Sequence, residues 1–338
     1  MRIDDRVEKI LTKIKLQRFR PLPFARSGLL QTVYGFYWPY LKAPTPNFFH
    51  HILLPDGDIL VASENRPSKW KEGDRVMLLI HGAGGNYLAP YMQRMCRRLY
   101  GQGYLVLRLN LRCCGPSLGV SKTPYHMGQS DDTRHVVKWI SQKFPGSPVT
   151  QIGFSMGANI TLKMAGEDGS RPAGNLDSVV AVSPPLNISA AMDRLSLPQN
   201  RVIQRSFLNN VQRQIRTHHK YFPEFKPFDL PANINIKSFH EHYTAPMGGF
   251  KNAADYYQKS SAFQFVPEIK VPSLILCAAD DPVVDGAAVA RVPHTNNLDV
   301  ILTEHGGHIG FLGFGSTWDE IRWCDEAIAR WLENTVAS

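Results

Sequence analysis

Cysteine is scarce. The chain has five thiols in 338 residues (Cys96, Cys113, Cys114, Cys277 and Cys324). The count is odd and shows no Cys-x-x-Cys pairing, which argues against a disulfide framework and against a structural zinc site. Long apolar runs are also missing: nothing approaches the roughly 18 residues that a membrane-spanning helix needs. Neither an apolar core nor a small-residue cleavage site follows Met1-Arg2-Ile3-Asp4-Asp5-Arg6, so the expectation is a cytoplasmic protein. Acid is the minority charge, with 29 Asp and Glu against 38 Lys and Arg, a formal net charge of +9. No nucleic-acid motif accompanies that charge, so it speaks to solubility and encounter, and no nucleic-acid partner is expected. An apolar fraction of 43% and a charged fraction of 20% are ordinary for a globular chain. The length suits one large domain with an insertion or two modest ones.

Hydrophobic periodicity gives the organisation. Ile3, Val7, Ile10, Leu11 and Ile14 recur at helical spacing among basic residues, a basic amphipathic helix that is read either as a peripheral membrane anchor or, more commonly, as a helix packed on its own domain. The aromatic run Val33 to Leu41 could meet lipid or line an acyl site; burial against the body is the commoner outcome. His50–Leu54 and Ile59–Ser63 flank the turn Pro55-Asp56-Gly57-Asp58, which predicts a hairpin at a sheet edge. Strands then alternate with helices: strand 75–80, helix 88–100, strand 104–109, a helix opened by Ser130-Asp131-Asp132, strand 149–152 with its helix, and strand 177–182. From Leu186 to about Asn252 that rhythm stops and a helical, basic insertion takes over. It resumes with helix 253–260, strands 273–279 and 299–303, and a final helix. The division expected is an arm at 1–48, an α/β core at 49–185 and 253–338, and a helical cap at 186–252. The fold class is α/β, a mainly parallel sheet with helices on both faces.

Sites in such folds lie at the carboxyl ends of strands. Three chemical groups meet that condition in the order Ser, Asp, His. Ser155 sits in Gly153-Phe154-Ser155-Met156-Gly157, a strand–turn–helix elbow whose small flanking residues leave room for a strained serine. Asp280 and Asp281 follow one strand, and His308 follows the last. A serine hydroxyl needs a base within hydrogen-bond reach, and the imidazole of His308 supplies one. A carboxylate must hold the other ring nitrogen, which Asp281 could do; Asp280 is its main competitor for that role, or else a turn carboxylate that caps nearby backbone N–H groups. The N–H groups of Met156 and of Ala83, in the loop His81-Gly82-Ala83-Gly84-Gly85-Asn86, are the candidate oxyanion donors. His305 is read as structural. The pairs His50/His51 and His218/His219, and His240-Glu241-His242, lack ligands at a recognised spacing, so no metal or cofactor is expected.

The sequence resembles the YheT-like group of α/β-hydrolases, kin to the ABHD lipases. The resemblance runs through Leu30-Gln31-Thr32, Leu54-Pro55-Asp56-Gly57-Asp58, His81-Gly82, Tyr125-His126, the Ser155 elbow, Asp280-Asp281-Pro282 and Glu304-His305-Gly306-Gly307-His308-Ile309-Gly310-Phe311. It implies an α/β-hydrolase fold with a helical cap, Ser155 as nucleophile, His308 as base and Asp281 as acid. It also implies a serine esterase or lipase acting on a small-molecule ester with an apolar acyl chain, such as a monoacylglycerol. Some members of that group are alcohol acyltransferases, which keeps acyl transfer as an alternative; a non-catalytic lipid-binding protein of the same fold is another. One departure, Arg112-Cys113-Cys114-Gly115 where many relatives carry Arg-Gly-Cys-Ser-Gly, bears on the shape of that loop and leaves the triad untouched.

Overall fold

Eight strands form one sheet in the order β1-β2-β4-β3-β5-β6-β7-β8. The computed structural model describes residues 3–225, 231, 234–314 and 321–336. The hairpin β1 (Phe48–Leu53) and β2 (Ile59–Asn65) is antiparallel and lies at one edge, as its turn signal predicts. The other strands, β3 (Val76–Ile80), β4 (Leu105–Asn110), β5 (Val149–Phe154), β6 (Leu176–Val182), β7 (Ser273–Ala278) and β8 (Leu298–Thr303), run parallel to one another.

Alternation along each parallel strand assigns its side chains to two cores. In β3, Val76, Leu78 and Ile80 face one layer, while Met77 and Leu79 face the other, the two-residue period of a strand buried on both sides. The first layer holds α4 (Ser130–Lys143) and α5 (Met156–Asp168) together with the insertion. The second holds α1 (Ile3–Lys13), α3 (Pro90–Gly101) and α12 (Trp323–Thr335). At the start of α4, Ser130 is the first helical residue and gives its hydroxyl to Glu167 Oε2 at 2.6 Å instead of capping the helix.

Between β6 and β7 the chain forms α6 (Ile188–Leu195), α7 (Arg201–Tyr221), α8 (Ile236–Phe239), a π-helical turn (His240–Thr244) and α9 (Ala245–Met247), followed by α10 (Ala253–Ser260). Positions 226–230 and 232–233 of the expected cap lie outside the described residues. Leu208, Val211 and Ile215 of α7 are buried in the first core, so this helix packs onto the α/β body by its apolar stripe.

The amino-terminal arm divides the expectations. Val7, Ile10 and Leu11 of α1, with Ile14 just beyond it, are buried, and the helix lies beside β8, so the packed reading of this helix holds. The aromatic run behaves differently. Residues Gly28–Tyr37 form α2, whose buried residues are Gly28, Gln31 and Gly35. Tyr34, Phe36, Tyr37 and Leu41 are exposed, which corrects the expectation of burial. Small and polar residues dock α2 because the surface beneath it is backbone: a Cβ on Gly28 would lie 1.8 Å from Asp280 O, and one on Gly35 would lie 2.5 Å from Gly310 Cα.

Candidate active site

The turn after β5 puts Ser155 at φ 52°, ψ −117°, a conformation costing a non-glycine residue of order 1–3 kcal/mol. Its neighbours explain how the chain tolerates it. A Cβ on Gly153 would meet Gly157 O at 2.2 Å, and one on Gly157 would meet His81 O and Ile80 O at 2.6 Å, so only glycine lets the elbow close over β3. The amide of Ser155 donates to Val182 O at 2.8 Å, tying the turn to β6. Met156 opens α5, where an N–H has no intrahelical acceptor.

Ser155 Oγ lies 2.9 Å from His308 Nε2, and His308 Nδ1 lies 2.9 Å from Asp281 Oδ2. An ionised carboxylate can only accept, so Nδ1 carries the ring proton and Nε2 accepts from the serine hydroxyl. Asp281 is fully buried and its Oδ1 also accepts from the amides of Val283 and Val284, at 2.7 and 3.0 Å. Asp280 faces elsewhere. Its Oδ1 accepts from Gly307 N–H at 2.9 Å and its Oδ2 stands 3.3 Å from His305 Nδ1; burial, the largest influence on it, pushes its pKa up. The structure thus brings Ser155, His308 and Asp281 together, and sets Asp280 and His305 beside them.

The loop after β3 is shaped by side chains that occupy its amides. Gly82 N–H donates to Tyr91 Oη at 2.9 Å, Gly84 N–H to Tyr125 Oη at 2.8 Å, and Gly85 N–H to Gly82 O at 3.0 Å. Among the described residues no acceptor stands against Ala83 N–H. It lines the same cleft as Ser155, Met156 and His308. His81 anchors the base of this loop: Nε2 accepts from Leu111 N–H and Nδ1 donates to Gly82 O, and burial lowers its pKa to about 4.

Several contacts carry no signal in a single sequence. Thr32 Oγ1 accepts from His308 N–H at 2.9 Å, and Gln31 holds both the N–H and the carbonyl of Leu312, at 2.7 and 2.9 Å; α2 therefore braces the histidine loop. From the insertion, Asn210 Nδ2 donates to Gly84 O at 2.7 Å and Arg194 Nε to Asp281 O at 2.5 Å. Arg112 is buried and pairs with Asp58, at 2.6 Å, and with Asp132, at 2.6 Å. It pins the unusual Cys113-Cys114 loop to the hairpin and to α4. All five cysteines are free and buried.

Among the described residues no group of three or more His, Cys, Asp or Glu side chains is arranged to hold a metal ion. His50 pairs with Glu64 at 2.7 Å, His218 Nε2 donates to Lys122 O at 2.8 Å, and His240 Nδ1 lies 3.0 Å from Tyr257 Oη.

Residues 75–314 match the family described as alpha/beta hydrolase fold, a span covering well over half the chain. The chain belongs to the α/β-hydrolase family. Among relatives of this α/β-hydrolase, the Escherichia coli protein named putative esterase YheT is 28% identical over 291 residues, covering 84% of each chain. A monoacylglycerol lipase of Saccharomyces cerevisiae is 27% identical over 268 residues, covering 76% of this chain and 59% of that protein. The chain thus spans most of the bacterial relative but less than two thirds of the yeast one. Among solved structures, Est1E from Butyrivibrio proteoclasticus with ferulic acid bound superposes with a TM-score of 0.57 at 16% identity, covering 86% of this chain and all of that one. That likeness is one of fold. No helix among the described residues is long and apolar enough to cross a membrane.

Proposed function

We propose that this α/β-hydrolase cleaves carboxylic esters of lipid type, with an apolar acyl chain, through an acyl-enzyme on Ser155. Ester hydrolysis as the broad activity follows from the family and from relatives named esterase and lipase. The observation that carries the finer reading is the continuous hydrogen-bonded line from Ser155 Oγ through the His308 ring to Asp281.

In this reading His308 Nε2 takes the hydroxyl proton as Oγ attacks the ester carbonyl, and Asp281 stabilises the imidazolium that results. The carbonyl oxygen becomes an oxyanion between the N–H groups of Ala83 and Met156, where one donor typically contributes about 3 kcal/mol. His308 returns its proton to the departing alkoxide, the C–O bond breaks and the alcohol leaves. A water then repeats the sequence on the acyl-enzyme, with His308 as base, releasing the acid and restoring Ser155.

The apolar acyl chain is argued from the space beside the serine. Ala83, Met127, Met156 and Phe207 line the cleft that holds Ser155, and the same four line an inner cavity walled by Val211, Ile215 and Phe239. A chain leaving the acyl carbon past the oxyanion donors would enter that cavity and exchange water for apolar wall.

A chain-length series of p-nitrophenyl esters and monoacylglycerols, run on wild type and Ser155→Ala, tests the proposal. Fluorophosphonate should label wild type and leave the variant unmodified, and hydrolysis should fall by about three orders of magnitude or more in the variant. Folded wild type that resists the probe, or a variant that keeps turnover, would sink the reading.

A further inference from the structure

Helix α2 is built inside out. Its inward residues are Gly28, Gln31 and Gly35, with Thr32 bonded to the histidine loop, whereas Leu29, Leu30, Tyr34, Phe36 and Tyr37 are exposed. A surface helix normally turns its apolar stripe to the core. Here the apolar stripe faces out, and Tyr37 is 76% exposed. The stripe also continues beyond the helix. Phe36 lines the cleft containing Ser155 and His308, together with Leu88 from the loop after β3 and Ile203 from α7. Leu88 is itself exposed, and Val202, next to Ile203, is 72% exposed. Three separate elements therefore place apolar side chains around one mouth, Phe36 and Leu88 exposed and Ile203 half-buried next to the exposed Val202. Such a contiguous patch marks a docking surface.

Charge identifies what the surface fits. Between residues 9 and 55 the sequence contains no Asp or Glu, and the same holds for 75–130 and for 194–223. These segments carry Phe36, Leu88 and Ile203 of the mouth, which Met192, Ile236, Val283 and His308 complete. Arg20, Arg26 and Lys42 flank α2, and Arg201 and Arg205 flank Val202, all exposed. The carboxylate packed against α2, Asp280, is bonded to Gly307 N–H. Exposed aromatic and aliphatic side chains inside a cationic border are the pattern of interfacial docking to an anionic bilayer. A protein partner or a second copy seated there would close the route to Ser155, whereas a lipid surface would supply esters through it.

We infer that the rim formed by α2, Leu88 and the start of α7 docks on an anionic lipid bilayer and opens the Ser155 cleft onto it. The basic amphipathic helix α1 is not the docking element, because its apolar face is buried against β8. The inference extends the lipid-ester reading, but it is a claim about surface binding and can be tested without turnover.

The test is co-sedimentation of the full chain with large unilamellar vesicles of phosphatidylcholine containing 30 mol% phosphatidylglycerol, alongside hydrolysis of a water-soluble short-chain ester. Tyr37→Asp and Val202→Asp lie on different elements and at solvent-exposed positions. Each should lower the vesicle affinity at least tenfold, while kcat/KM on the soluble ester stays within twofold of wild type. Vesicle affinity unchanged in both variants, or wild type that never sediments with vesicles, would overturn the inference. So would a wild-type dimer in analytical ultracentrifugation that Tyr37→Asp dissolves, because a second copy would then cover the rim. Loss of soluble-ester hydrolysis by wild type itself would count against the proposed function, with vesicle binding still deciding the docking.

Discussion

Asp280 and Asp281 are adjacent in sequence, and their backbone turns them toward different partners. Asp281 is buried, receives two amides and faces His308 Nδ1, whereas Asp280 receives Gly307 N–H and faces His305. The two amides fix the Asp281 carboxylate so that it meets the ring without paying reorientation entropy at each turnover. An asparagine at 281 could donate its amide to Nδ1, which would place the ring proton on Nε2 and remove the acceptor that Ser155 needs. Asp281→Asn should therefore lower kcat by about 10⁴-fold with little change in KM. Asp280→Asn keeps an oxygen for Gly307 N–H and should retain turnover within about tenfold. Steady-state kinetics on a soluble ester separate the two; the reverse ranking would exchange their roles.

At the scale of elements, α2 is the brace of the histidine loop. Thr32→Val removes the acceptor for His308 N–H, an amide at the centre of the site. A lost buried hydrogen bond costs about 1–3 kcal/mol, which predicts kcat/KM lower by about tenfold or more, with Thr32→Ser restoring it. Gly35→Ala would push a methyl to within 2.5 Å of Gly310 Cα, and overpacking against backbone should cost about 1–3 kcal/mol in urea denaturation and lower kcat as well. Leu30→Ala, on the exposed side, should do neither. This helix also shows where sequence reading reaches its limit. Strands β3 to β8, the elbow and α10 follow from alternation, turn residues and capping, because each of those elements turns its apolar side inward; the hairpin follows from its turn residues, although Phe48, Phe49 and Leu53 of β1 are exposed. The rule fails for α2, where glycine and glutamine are the inward residues, so an aromatic run read as buried is exposed. The contact of Thr32 with residue 308 joins positions 276 apart, and no local pattern carries such a pairing. The candidate triad residues were legible because each follows the carboxyl end of a strand; the side chains that hold their loops, Thr32, Gln31, Tyr91 and Asn210, were not.

At the scale of the whole molecule, three imidazoles are built in as neutral groups. Burial lowers the pKa of His81 and His126 to about 4 and of His240 to about 3. Their bonds agree: His81 Nε2 accepts from Leu111 N–H and His126 Nδ1 from Gly128 N–H, which a protonated ring could not do. Unfolded histidine titrates near 6.5. A depressed folded pKa contributes stability that is fully present above that value and is lost as pH falls, because the unfolded chain takes up protons that the fold refuses. Between pH 6.5 and about 4 each ring should cost up to about 1.4 kcal/mol per pH unit, or about 2 kcal/mol each by pH 5. The sum is comparable with the whole stability of a typical domain. Urea denaturation at pH 7.5, 6 and 5, where most carboxylates stay ionised, should therefore show a steep loss of unfolding free energy. His240→Gln removes one titrating ring and keeps an amide able to bond Tyr257, so its slope should be shallower by about one proton. An unchanged slope in that variant would mean that His240 protonates in the folded protein near its ordinary value.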